Sequence, residues 1–277
     1  MGVEEGQVLP GQALPFAGGC RWLLSFDYDD TLRTSDPANP VSADFYELMR
    51  AWRPLGIRWG INTGRTLPYL CEELLPTAPF LPDFICTCER YVYIAQADGS
   101  LQPLSEHNAR CVEHNAHVRE HVTPLLHLQL EMLRRKHPGL QWIIAPSDPL
   151  SVEAVDSATM DEIMRYLSPF IDGLKGACAQ RAGRYMRLAD ARYCKGTALQ
   201  TVARQWHVPA SHWCMLGDGH NDLQAFRMFS EAFCGAPVNA HPDVISWLRN
   251  HGGYVSSSAG VMEILHAWKD SVMTKQV

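Results

Sequence analysis

The segment Asp27-Tyr28-Asp29-Asp30-Thr31 follows directly on the apolar run WLLSF, residues 22–26. Carboxylates two residues apart can take different roles, one as nucleophile and one as general acid/base, when their surroundings differ. Such carboxylates with a hard cation such as Mg2+ also suit a phosphoryl oxygen. The same segment reads equally as a turn whose Asp side chains cap backbone amides. A second group, Thr63-Gly64-Arg65, again follows an apolar run. Its hydroxyl, its Gly-permitted close backbone approach and the helix start beyond it make an anion site. Arg65 alone reads as well as a surface ion-pair partner. Lys195-Gly196 stands before a helical pattern, and its ammonium is a compact charge for a phosphate oxygen. Gly217-Asp218-Gly219-His220-Asn221-Asp222 ends one more apolar run and opens a helix. Here Asp218 can share a cation with Asp27, Asp222 can support that site, and Asn221 can orient a neighbour; a capped helix start with acidic first-turn residues is the plainer reading.

The elements that must position these groups alternate. Apolar runs at 21–27, 57–61 and 83–87 read as strands, with helices over 42–52 and 67–75 between them. This βαβαβ order predicts a parallel sheet flanked by helices, whose ligands gather at the carboxyl ends of strands. Residues 91–185 have another rhythm. A strand at 91–95 precedes helices at 106–121 and from Pro124, the latter with Thr123 as N-cap. Strands at 141–145 and 151–155 flank the turn Pro146-Ser147-Asp148-Pro149, a helix covers 158–171, and two short strands surround Ala182-Gly183. The stripe Leu125, Leu128, Met132 predicts core packing. The parallel pattern resumes with helices at 196–206, 221–229, 242–250 and 260–268 and strands at 213–216 and 232–234. The expected division is a flexible tail at 1–20, a core built from 21–90 and 186–277, and an inserted α+β domain at 91–185.

Composition narrows the class. Of 277 residues, 46% are hydrophobic and 19% charged, which supports a sizeable core. The formal net charge is −6 with no basic block, which argues against nucleic acid and anionic membranes. No run approaches the ~18–20 apolar residues of a membrane span, and the N-terminus lacks the basic and apolar regions of a secretory signal. Nine cysteines without CxxC pairs fit a reduced, cytoplasmic protein without structural zinc.

Taken in order, the four groups resemble the motifs of the haloacid dehalogenase superfamily: Asp27/Asp29/Thr31, Thr63, Lys195 and Asp218/Asp222. The spellings GDGHND, NTGR and KGTAL are similar to its type IIB branch, the Cof-like and sucrose-phosphatase-like proteins. The resemblance implies an α/β fold, a Rossmann-like parallel-sheet core with an inserted α+β cap of C2B type. It implies a phosphatase in which Asp27 attacks phosphorus and Asp29 serves as acid and then base. It places Mg2+ among Asp27, the Asp29 carbonyl, Asp218 and Asp222, and phosphate oxygens on Thr63, Gly64, Lys195 and Asn221. The implied substrate is a sugar phosphate or another small phosphorylated metabolite. Two features depart from the branch: Asp30 replaces a common glycine, and Cys88-Glu89-Arg90-Tyr91 replaces a glycine-containing turn.

Candidates for substrate contact, by position only, are Arg65, Glu89, Arg90, Arg181, Arg184 and Arg187; a solvated surface residue is the plainer reading of the last five. His114, His117 and His121 can share one helix face, as a polar face rather than a metal site. Two other functions use the same residues: a phosphomutase with the same aspartate chemistry, and a non-catalytic sugar-phosphate-binding regulator.

Overall fold

The computed structural model describes residues 19–143 and 150–273. Residues 1–18 of the expected tail, the end of the strand expected over 141–145, and the turn expected at 146–149 lie outside them. The described residues form two compact units, 19–104 with 195–218 and 222–273, and 105–143 with 150–194 and 219–221.

The larger unit carries an eight-stranded sheet. In chain order its strands are β1 (Trp22–Phe26), β2 (Ile57–Asn62), β3 (Phe84–Thr87), β4 (Tyr91–Ala95) and β5 (Leu101–Pro103), then β10 (Trp213–Leu216), β11 (Phe233–Ala236) and β12 (Tyr254–Val255). They lie in the order β12-β11-β10-β1-β2-β3-β4-β5. All neighbours from β12 to β3 are parallel. β4 and β5 are antiparallel and extend the expected Rossmann-like parallel core at one edge. They also place 91–104 with the larger sheet rather than with the insertion, because β4 hydrogen-bonds to β3 along its whole length. β1 is apolar on both faces, as a strand covered on both sides must be. Leu24 and Phe26 pack with Phe45, Met49 and Trp52 of α1 (Ala43–Trp52) and Leu265 and Trp268 of α9 (Met262–Met273). Leu23 turns the other way, toward Leu199 and Val202 of α6 (Lys195–Gln205) and Val244 and Leu248 of α8 (Pro242–Asn250). Ser42 caps α1 by accepting from the Phe45 amide at 3.3 Å.

The smaller unit has a four-stranded antiparallel sheet in the order β6-β7-β9-β8, from β6 (Gln141–Ile143), β7 (Leu150–Glu153), β8 (Ala177–Ala182) and β9 (Tyr185–Asp190). β9 runs to Asp190, so 186–190 stay with this sheet. Helix α5 (Ser157–Asp172) buries Met160, Ile163, Leu167 and Ile171 at helical spacing. Two expectations fail beside it. Thr123 is not the N-cap of α4 (His127–Lys136): its hydroxyl donates to the Val118 carbonyl at 3.5 Å, and a 3-10 turn at Thr123–Leu126 puts Leu126 in the cap position. Leu125, Leu128 and Met132 are 61%, 69% and 51% exposed, while Leu126, Leu130 and Leu133 form the buried stripe. On α3 (Ser105–His121), His117 and His121 stack in solvent, and His114 Nδ1 lies 2.8 Å from the Tyr193 hydroxyl. All nine cysteines are thiols, and six are buried. No described helix is long and apolar enough to cross a membrane.

Candidate active site

Strand register assembles the site. Phe26 stands opposite Leu216 on one side and Ile61 on the other. The next residues, Asp27, Gly217 and Asn62, therefore stand side by side at its carboxyl edge. The pairing continues past the strands: the Asp27 amide donates to the Leu216 carbonyl at 2.8 Å, and the Thr63 amide to the Cys86 carbonyl at 2.9 Å. The chain reaches β2 from one side of β1 and β10 from the other, so this is where a doubly wound sheet opens toward a ligand.

After Asp27 the chain turns tightly over Tyr28–Leu32. Asp27 Oδ1 accepts from the Tyr28 amide at 2.7 Å, and the Arg33 amide closes the turn on the Tyr28 carbonyl at 2.8 Å. Asp30, where the branch commonly has glycine, takes φ +56°. The turn brings the Thr31 hydroxyl to Asp218 Oδ1, which accepts from it at 2.9 Å. Gly217 is required by proximity: a Cβ there would stand 2.1 Å from the Asp222 carboxyl carbon. Asp222 lies in the first turn of α7 (His220–Met228), and Asn221 beside it is buried.

At the start of α6, Lys195 Nζ lies 2.8 Å from Asp27 Oδ1 and 2.8 Å from Asp222 Oδ1, with its side chain 2% exposed. Asn62 holds the lysine's own carbonyl, donating from Nδ2 at 2.9 Å. Burial works against the charge of Lys195, but the carboxylates of Asp222, Asp27 and Glu89 outweigh it and raise its pKa. Burial, reinforced by Asp222 and Asp218 and opposed by Lys195, raises the Asp27 carboxyl well above the ordinary range. Burial and the Asp222 charge push Asp218 up to about 6, against Lys195 and Thr31. Carboxylate oxygens of Asp27, Asp218 and Asp222 lie within 4.8 Å of one another. Three hard oxygen donors at that separation fit a divalent cation, and Mg2+ among them.

Asp29 points elsewhere. Arg65 grips both its oxygens, from Nε at 2.7 Å and Nη2 at 3.1 Å, and Arg33 Nη1 lies 3.6 Å away. Its carboxylate is thus outside the cluster of three. Thr63 and Gly64 sit in the loop between, and the Thr63 hydroxyl accepts from the Arg65 amide at 3.1 Å. Glu89 and Arg90 are buried just past β3. The remaining arginines are engaged inside the smaller unit. Arg181 pairs with Asp161 and donates to the Ser157 and Gly183 carbonyls. Arg184 pairs with Glu153 at 2.9 Å, and Arg187 lies over the Tyr185 ring. Two residues with clear positions here, Asn62 and Arg33, were not singled out in the sequence. Asn62 is a polar side chain ending an apolar strand, and Arg33 stands four residues after Asp29.

Comparison with known proteins agrees with this architecture. The family model of haloacid dehalogenase-like hydrolases matches residues 143–265, fewer than half of the chain. No curated protein matches. Among solved structures, the Synechocystis sucrose-phosphatase in complex with sucrose and phosphate has a TM-score of 0.65 at 18% identity, covering 90% of this chain and 96% of that one. SMU.1108c of Streptococcus mutans gives 0.62 at 15%, with 90% and 99% covered. The haloacid dehalogenase-like hydrolase yhjK of Bacillus subtilis gives 0.61 at 14%, with 95% of each chain covered. With its mixed sheet, its inserted antiparallel module and its buried carboxylates at the carboxyl edge, the chain has the fold of the haloacid dehalogenase-like hydrolases.

Proposed function

We propose that the protein is a Mg2+-dependent phosphomonoester hydrolase working through a phosphorylated aspartate, on a sugar phosphate or a similar small metabolite. One observation carries this reading: a buried lysine shared by two carboxylates, with a third carboxylate beside them, at the sheet edge where Asp27 emerges. Asp27 is the nucleophile, oriented by the Tyr28 amide and by Lys195. Lys195, Thr63 and the Gly64 amide hold phosphoryl oxygens, with Asn221 and Asp222 in support. Asp29 gives its proton to the leaving oxygen and then takes one from water. To do so it exchanges Arg65 for that oxygen, so Arg65 positions the acid between turnovers. Asp27, Asp218 and Asp222, with the Asp29 carbonyl, would hold Mg2+. When bound, the ion offsets repulsion between carboxylate and phosphate. Arg90, Arg181, Arg184 and Arg187 stay as candidates for contact with the leaving group.

The test is phosphate release from a panel of sugar phosphates and nucleotides, with Mg2+ or EDTA, for wild type and Asp27→Asn. Release that needs Mg2+ and disappears in the variant is expected. Turnover only with an added bisphosphate would identify a mutase, and binding without any release a regulator.

A further inference from the structure

The turn after β3 is built from residues poorly suited to it. Cys88 and Glu89 have φ of +50° and +66°, adjacent non-glycine residues in the left-handed region. Two hydrogen bonds keep them there. The Cys88 amide donates to the Arg65 carbonyl and the Glu89 amide to the Thr63 carbonyl, both at 2.9 Å. The turn is therefore laced to the Thr63-Gly64-Arg65 loop. This conformation delivers a carboxylate inward: Glu89 is 4% exposed. Its Oε1 lies 3.3 Å from the position a Cβ on Gly64 would take, so it stands on the side of Gly64 that a side chain would occupy. Its charge also acts on Lys195, together with those of Asp222 and Asp27.

Gly64 and Lys195 are the groups assigned above to phosphoryl oxygens. A carboxylate and a phosphate are both oxyanions, and the same N–H donors and ammonium attract both. We propose that Glu89 is an internal competitor for the phosphate subsite, a buried carboxylate held beside Gly64 that weakens retention of the phosphate product. The inference rests on the phosphatase reading and adds a specific role to one residue of that site. A site of this kind must not bind its product too well. Two charges of one sign a few ångströms apart, partly shielded from water, are enough to change an anion's affinity by an order of magnitude.

The test uses the full chain with Mg2+ and inorganic phosphate as the probe. Phosphate binding is measured by calorimetry and as inhibition of p-nitrophenyl phosphate hydrolysis. Glu89→Gln keeps the shape and removes the charge. It is expected to tighten phosphate about tenfold and to lower kcat through slower release. Glu89→Asp and Glu89→Asn make the same comparison on a shorter arm and tolerate the left-handed backbone, so they serve if the Gln variant does not fold. Asn is then expected to bind phosphate more tightly than Asp. A merely structural role for Glu89 would lower thermal stability and leave phosphate affinity unchanged or weaker in the neutral variants, and that result overturns the inference. If the wild type neither binds phosphate nor releases it from any substrate, the phosphatase reading itself falls, and the inference with it. Phosphate binding to the wild type that is unaffected by the charge at residue 89 overturns the inference alone.

Discussion

Replacing Lys195 by methionine tests the electrostatic frame of the site without reference to any substrate. The methionine chain fills nearly the same volume, so the change removes one buried charge and little packing. Lys195 is 2% exposed and lies 2.8 Å from each of two carboxylates. Taking one partner out of a buried ion pair leaves the other charge uncompensated, at a cost of about 3–5 kcal/mol. Here two buried carboxylates are left beside a third. We therefore expect Lys195→Met to lose about 3–5 kcal/mol at pH 8 in EDTA, where no cation can take the place of the ammonium. Urea unfolding followed by tryptophan fluorescence suits the measurement, since seven of the eight tryptophans lie in the larger unit. The deficit should shrink at pH 5, where the orphaned carboxyls take up protons. Adding Asp222→Asn to the variant should restore at least about 1 kcal/mol, because the two sites are in contact and not additive. A deficit under about 1 kcal/mol at pH 8, or one equally large at pH 5, refutes the reasoning.

Further measurements follow from the same geometry. With its carboxyl raised to about 6 in the fold, Asp218 adds stability below the ordinary range that is lost as pH rises through that value. The loss is on the order of 3 kcal/mol for the metal-free protein. Mg2+ should therefore raise the Tm more at pH 8 than at pH 5, and equal shifts at both would contradict the shared carboxylate site. Asp30→Gly should stabilise the protein by about 0.5–1 kcal/mol in chemical denaturation, since φ +56° suits glycine and a nearby negative charge is removed; a loss of stability would count against strain in that turn. Leu128→Lys should stay within about 0.5 kcal/mol of wild type, and Leu130→Ala should cost about 2–5 kcal/mol. The reverse order would mean that the exposed and buried stripes of α4 had been exchanged.

The strand ends were legible because abrupt changes from apolar to acidic or hydroxyl residues mark the edge of a sheet, and three such changes coincide. The direction of β4 was not legible. An apolar run such as YVYIA states that a strand is half covered, but not which sheet it joins or which way it runs. Helix α4 shows the same limit from another side. Leu125, Leu128, Met132 and Leu126, Leu130, Leu133 both recur at helical spacing, and periodicity alone cannot choose which stripe faces the sheet. The grip of Arg65 on Asp29 spans 36 residues, and no local pattern announces it. The left-handed pair at Cys88 and Glu89 was visible only as a departure, a turn without the glycine its conformation favours.

The thiols offer a separate use. Cys86, Cys88, Cys214 and Cys234 are buried in the larger unit, and Cys111 and Cys194 in the smaller. Burial also keeps Cys86, Cys214 and Cys234 protonated, with Cys234 pushed up to about 12. An alkylating reagent can reach such a sulfur only after the surrounding structure opens. The six sulfurs are thus clocks divided between two units, and one labelling time course read by peptide mass spectrometry times the opening around each sulfur in both units at once.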